Sequence, residues 1–86
     1  MPILLKEIKA PYPQAALQRR IEGRVLLELL IDTQGQVVSA KVVLRAGYGF
    51  DEAALDAVKG FLFVPARIKG RSVPVRITYT YTFILD

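Results

Sequence analysis

Apolar and polar positions alternate most regularly between Gly23 and Arg45. Val25, Leu27, Leu29 and Ile31 fall on every second residue, which in an extended chain puts all four side chains on one face of a sheet. Asp32, Thr33, Gln34 and Gly35 follow. Aspartate accepts bonds from its own downstream backbone, and glycine takes the left-handed conformation that a type I turn with a bulge requires, so the stretch predicts a hairpin. The return strand offers Val37, Ala40, Val42 and Leu44 to the same face, and the change of phase between Val37 and Ala40 predicts a bulge. The other face of the first strand carries Arg24, Leu26, Glu28 and Leu30. A strand apolar on both faces is usually central, and Leu26 and Leu30 then stand either half-exposed or beneath a partner.

Helical spacing appears on both sides of this hairpin. Residues 1–10 predict a mostly irregular lead-in, with Ile3, Leu4, Leu5 and Ile8 apolar but no cap. Pro11, Tyr12 and Pro13 stiffen the chain, and Pro13 suits a first helical position. A helix of about two turns is predicted from there, Leu17 and Ile21 facing the sheet, the Tyr12 ring closing over its start and Gly23 stopping it. A second helix is predicted over DEAALDAVKGFLF, with Asp51 as N-cap, Ala54, Leu55, Val58, Phe61 and Leu62 as its buried stripe, and Pro65 as its end. Val64 to Ser72 reads as a loop turning at Lys69, Gly70 and Arg71. In the long strand that follows, Val73, Val75, Ile77, Tyr79, Tyr81, Phe83 and Leu85 share one face.

The hairpin's second strand runs antiparallel to its first, and the second helix carries the chain back. The last strand therefore fits on the free side of the first, where every pair is antiparallel and the crossover right-handed. The predicted class is α+β: a three-stranded antiparallel sheet of order 2-1-3, two helices on one face, topology α-β-β-α-β. The last strand is then an edge with no charge from Ile77 to Leu85. Natural edges are usually blunted by charge or covered. An open one pairs with an extended partner segment, pairs with a second copy of the chain as a homodimer, or is shielded by a neighbouring loop.

Composition narrows the chemistry. Without histidine or cysteine in 86 residues there is no imidazole base, no thiolate and no usual soft metal ligand, so neither enzymatic activity nor a cofactor or metal is expected. Ser39 and Ser72 have no evident base. Asp51, Glu52 and Asp56 read as helix-dipole and solvated positions, and Gly47 and Gly49 lack the spacing and lysine of a phosphate loop. The net charge is +4, from 12 basic and 8 acidic residues. Its densest groups, Arg19, Arg20 and Arg24, and Arg67, Lys69 and Arg71, read as a helix end and a loop, not as the aromatic-interleaved stripe of a nucleic-acid surface. No run of about 20 apolar residues is long enough to span a membrane, and the lack of cysteine fits cytoplasm and periplasm alike.

Taken together in order, Tyr12, Pro13 and Ala16; Ile21, Gly23 and Val25; Ile31, Asp32, Gly35 and Val37; Asp51, Ala53, Ala54, Leu55 and Val58; Phe63, Pro65 and Ala66; and Gly70 and Val75 form a recognisable pattern. The sequence resembles the C-terminal domain of the TonB energy-transducer family over residues 11–86. The resemblance implies a periplasmic domain of a protein anchored in the inner membrane through a proline-rich spacer. It also implies coupling of a motor of the ExbB and ExbD type, through regions outside these 86 residues, to outer-membrane receptors that import iron chelates or vitamin B12. The implied partner is the receptor's TonB box, added as a strand beside the last strand. The site residues it implies are Val75, Ile77, Tyr79, Tyr81 and Phe83, with further contacts near Tyr12 and Pro13. The chain departs from the pattern at Phe61, where many members have tryptophan, and at Lys9, near a position often held by glutamine. The alternative is a TonB-like module that self-associates or links envelope components without a part in uptake.

Leu27 sits in the middle of the inward row. Leu27→Ala is expected to cost about 2 to 5 kcal/mol in urea unfolding, and a loss below about 1 kcal/mol would mean that the wrong face has been taken as core.

Overall fold

The central strand is β2 (Gly23–Ile31), held between β3 (Val37–Leu44) and β7 (Val75–Phe83) in an antiparallel three-stranded sheet. The structure, a computed structural model, describes residues 3–85. Residues 1, 2 and 86, the outer ends of the lead-in and of the domain as read from the sequence, lie outside these. The period-two row on β2 is the core: Val25, Leu27, Leu29 and Ile31 are each 0% exposed. The helices α1 (Gln14–Gln18) and α2 (Phe50–Val58) bring Ala16, Ala54, Ala57 and Val58 into the same buried cluster. Small alanines let both helices approach that one face closely. The order β3-β2-β7 is the predicted 2-1-3.

The turn follows its predicted chemistry. Asp32 Oδ1 accepts the N–H groups of Gln34 and Gln36, each at 2.9 Å, and Gly35 has φ 84°. A Cβ on Gly35 would lie 1.9 Å from the Phe63 carbonyl oxygen, so only glycine fits against that strand. The predicted bulge falls between Leu30 and Ile31, which pair with Ser39 and Val37. A second bulge, between Leu26 and Leu27, was not foreseen. It moves Leu44 to the face of Leu26 and leaves it 63% exposed rather than in the core.

Other expectations are corrected by local geometry. The first helix spans five residues, and a Schellman-type close ends it: Ile21 N–H bonds Ala16 O at 2.9 Å and Arg20 N–H bonds Leu17 O at 3.1 Å, with Arg20 at φ 53°. Arg20, not Gly23, is therefore the stop. Gly23 instead opens β2, where a Cβ would come within 2.8 Å of the Phe50 ring. In so short a helix Ala16 takes the inward position, and Leu17 is 48% exposed. In α2 the N-cap is Gly49, at φ 85°. Asp51 is buried and reaches back, accepting N–H bonds from Ala46 at 2.8 Å and Gly47 at 3.0 Å, with Arg45 Nε at 3.7 Å. The glycine-rich turn folds those amides, rather than the helix's own, onto the carboxylate. The helix also closes at Val58, well before Pro65, and Leu62 lies in a strand instead of on the helical stripe.

Short strands complete the molecule. The lead-in is irregular except for β1 (Leu4–Lys6), which pairs with β4 (Leu62–Phe63). The segment read as a loop contains a small hairpin, β5 (Ala66–Ile68) and β6 (Arg71–Val73), closed by Lys69 at φ 52° and Gly70 at φ 78°. Two successive positive φ values match the twist of a two-residue hairpin. Val73 therefore belongs to β6, and β7 begins after Pro74.

Arg20 bears the cost of a left-handed backbone without being glycine. Arg20→Gly is expected to raise stability by about 1 kcal/mol, read from the urea midpoint. A loss instead would show that the arginine side chain supports the helix end.

Candidate functional site

β7 matches β2 residue for residue over its whole length, Val75 opposite Ile31 through Phe83 opposite Gly23, with no bulge. Its other edge pairs with no strand among the described residues. In an antiparallel ladder alternate residues turn both N–H and C=O to the same side, so this edge presents a regular row of unpaired backbone groups. The opposite edge of the sheet differs: β3 is broken by two register shifts and carries Lys41, devices that discourage pairing. Of the two edges, only that of β7 offers an unbroken template.

Side chains of β7 pack on both sides of that template. Val75 and Ile77 are half-buried against the core, and Tyr81 and Phe83 are buried. Phe61 meets Tyr79 edge-on, with centroids 5.3 Å apart, and the Tyr81 and Phe83 rings lie 4.8 Å apart. Arg76, Thr78, Thr80 and Thr82 are exposed on the other face. The tyrosine hydroxyls reach past the core to the lead-in. Tyr81 Oη accepts the Ala10 N–H at 2.7 Å and donates to the Ile8 carbonyl at 3.3 Å. Tyr79 Oη donates to Glu7 Oε2 at 3.3 Å. A groove of about 490 Å³ results, lined by Glu7, Lys9, Tyr79, Thr80, Tyr81 and Thr82.

Of the residues singled out in the sequence, Tyr79 and Tyr81 line the groove, while Val75, Ile77 and Phe83 lie on the same strand outside its lining. Tyr12 and Pro13 are not among the groove's lining residues. The Tyr12 ring stands edge-on to Phe50 at 5.6 Å and to Phe83 at 5.8 Å, and its hydroxyl donates to the Ile21 carbonyl, clasping the two ends of α1. Burial first, and the Glu22 carboxylate second, raise its phenol above the ordinary value. Pro13 packs at the α2 start, where a Cβ on Gly49 would be 3.1 Å from Pro13 Cβ. Glu7 and Lys9 belong to the lead-in and carry no periodic signal; the sequence marks Lys9 only as a departure from the family pattern, and Glu7 not at all. Among the described residues no helix is long and apolar enough to cross a membrane.

The arrangement defines a class: a small α+β module whose sheet is covered by two helices on one face and keeps one edge strand regular and open. Residues 9–85 match the family described as Gram-negative bacterial TonB protein C-terminal, and the chain belongs to that family. Protein TonB of Vibrio cholerae serotype O1 is 32% identical over 81 residues, which are 93% of this chain and 33% of that protein. Protein TonB of Xanthomonas campestris pv. campestris is 28% identical over 76 residues, 87% of this chain and 34% of that protein. The chain thus spans about a third of the length of the curated relatives it matches. The solution NMR structure of the Pseudomonas aeruginosa TonB CTD superposes with a TM-score of 0.77 at 26% identity, covering 99% of this chain and 87% of that one.

Burial, then the Glu7 charge and hydrogen bond, then Tyr81 push the Tyr79 phenol up to about 12 from 10.0. A group raised on folding stabilises fully below its unfolded value, so the Tyr79 contribution is complete below about pH 10 and is lost as pH climbs toward 12. A carbon-13 tyrosine titration is expected to find Tyr79 ionising after an ordinary tyrosine. Glu7→Gln should bring it only part of the way down, because burial is the larger cause. A normal Tyr79 titration in the unaltered protein would mean that the ring is not held against Glu7.

Proposed function

We propose that the free edge of β7 receives an extended segment of an outer-membrane transporter, the TonB box, and that the domain thereby couples the proton-motive force to uptake of nutrients such as iron chelates or vitamin B12. The carrying observation is the unbroken, unpaired edge of Val75–Phe83 beside a groove. Strand addition draws its affinity from main-chain hydrogen bonds and its specificity from alternate side chains. A strand paired along its length resists pulling because several bonds share the load, so the domain needs no chemistry of its own. Membership of the TonB C-terminal family supports this role. In this reading the domain works in the periplasm, joined through segments outside these 86 residues to an inner-membrane anchor and an ExbB and ExbD type motor. Tyr12 and Pro13 act by fixing the chain that leads from the groove into α1.

An amide-resolved NMR titration with a synthetic TonB-box peptide, beside a scrambled control, tests the reading. Shifts are expected along Val75–Phe83 and in residues 7–10, with none from the control. Methylating the peptide's backbone nitrogens at alternate positions is expected to weaken binding at least about tenfold for one set and little for the other. Equal loss from both sets would exclude strand pairing. Concentration-dependent sedimentation with no peptide response would favour the self-associating module.

A further inference from the structure

The groove beside β7 has a chemical polarity that backbone pairing alone does not require. Its inner wall is the lead-in, and the two tyrosines fix that wall in place. Tyr81 Oη bridges Ile8 and Ala10, so Lys9 is the residue between its two anchor points. Tyr79 Oη, two residues earlier on β7, holds Glu7. Both charged residues are exposed and line the groove with Thr80 and Thr82. The ion pairs among the described residues are Lys41–Glu28, Arg45–Asp51 and Arg76–Glu28. Among the described residues, Lys9 and Glu7 thus line the groove without ion-pair partners. A negative and a positive group are therefore displayed two residues apart along the lead-in, beside the alternate β7 residues Tyr79 and Tyr81.

We infer that the groove reads charge order: the segment it accepts carries an acidic side chain opposite Lys9 and Tyr81, and a basic or neutral one two residues away, opposite Glu7 and Tyr79. This rests on the strand-docking reading and names the partner's chemistry. Side chains of an added strand alternate, so residues j and j+2 both fall on the tyrosine side. An acid beside Lys9 gains an ion pair, while the same acid beside Glu7 meets a like charge and the carboxylate-bound Tyr79 hydroxyl. The Tyr79 hydroxyl donates to the Glu7 carboxylate and so anchors it. The opposite side of the groove, Thr80 and Thr82, is neutral and adds no charge preference.

Charge order then becomes linked to strand direction. Tyr81 follows Tyr79 along β7, so a segment running parallel to β7 needs the order Lys-x-Glu, and an antiparallel one needs Glu-x-Lys. Three blocked ten-residue peptides test this by NMR titration against the whole chain at low salt: a neutral alternating Thr/Val peptide, and versions of it carrying Glu-x-Lys or Lys-x-Glu at the centre. A nitroxide on the peptide N-terminus reports direction, broadening amides near Val75 if parallel and near Phe83 if antiparallel.

The expected result is that one charged order binds about tenfold tighter than the other, and that the tighter order is the one the nitroxide direction requires. The preference should shrink in high salt and vanish in the Glu7→Gln, Lys9→Gln double variant. It should invert in the Glu7→Lys, Lys9→Glu variant, the amide spectrum of the β2–β7 sheet showing that each variant is folded. Equal binding of both orders, or a preferred order at odds with the measured direction, overturns the inference while leaving strand docking intact. If the neutral peptide moves no amide of Val75–Phe83, the docking reading itself fails, and the inference fails with it.

Discussion

The domain depends on burying one face of β2. Val25, Leu27, Leu29 and Ile31 are removed from water by strands on both sides and by α1 and α2 above. Neither helix is stable alone: α1 has five residues and α2 nine, well below the length at which isolated helices persist. Their order comes from docking Ala16, Ala54 and Ala57 on that row. Because β2 is central, its other face need not be sealed. Leu26 and Leu30 are half-buried there, with Glu28 between Lys41 at 3.8 Å and Arg76 at 3.9 Å.

A sheet of three strands has two edges, and this one treats them differently. On β3, two bulges twist and interrupt the ladder. On β7, the ladder to β2 is continuous and the inward side chains form an aromatic row with Phe61. The ladder to β2 sets the register and the aromatic row ties the strand to the core, both from its inward side. That leaves the outer backbone groups available, and the Thr residues of the solvent face keep the strand soluble without blocking them.

The lead-in turns this edge into a groove. Its hold on the sheet is made by hydroxyl groups: the Ala10 N–H bond to Tyr81 joins residues 71 positions apart. These bonds, with β1 on β4, set where the charges of Glu7 and Lys9 stand relative to β7. A phenylalanine in place of either tyrosine would preserve the core and lose this placement.

The hairpin, its turn, its first bulge, the α+β class and the strand order were legible in the sequence, because period two, turn chemistry and crossover handedness act through neighbours or through simple topology. The candidate edge was legible for the same reason: a long run without charge announces itself. Features that depend on close approach were not. Gly23 looks like a helix stop until Phe50 is seen against it; Asp51 looks like a cap until the glycine turn brings Ala46 and Gly47 to its oxygens. The second bulge and the β5–β6 hairpin lie within short, weakly periodic stretches that packing resolves. The sequence by itself determined a sheet with an open edge, since alternation and turn residues are local properties. Only the tertiary structure decided that the edge has a charged wall, since Glu7 and Lys9 are placed by tyrosines at the far end of the chain.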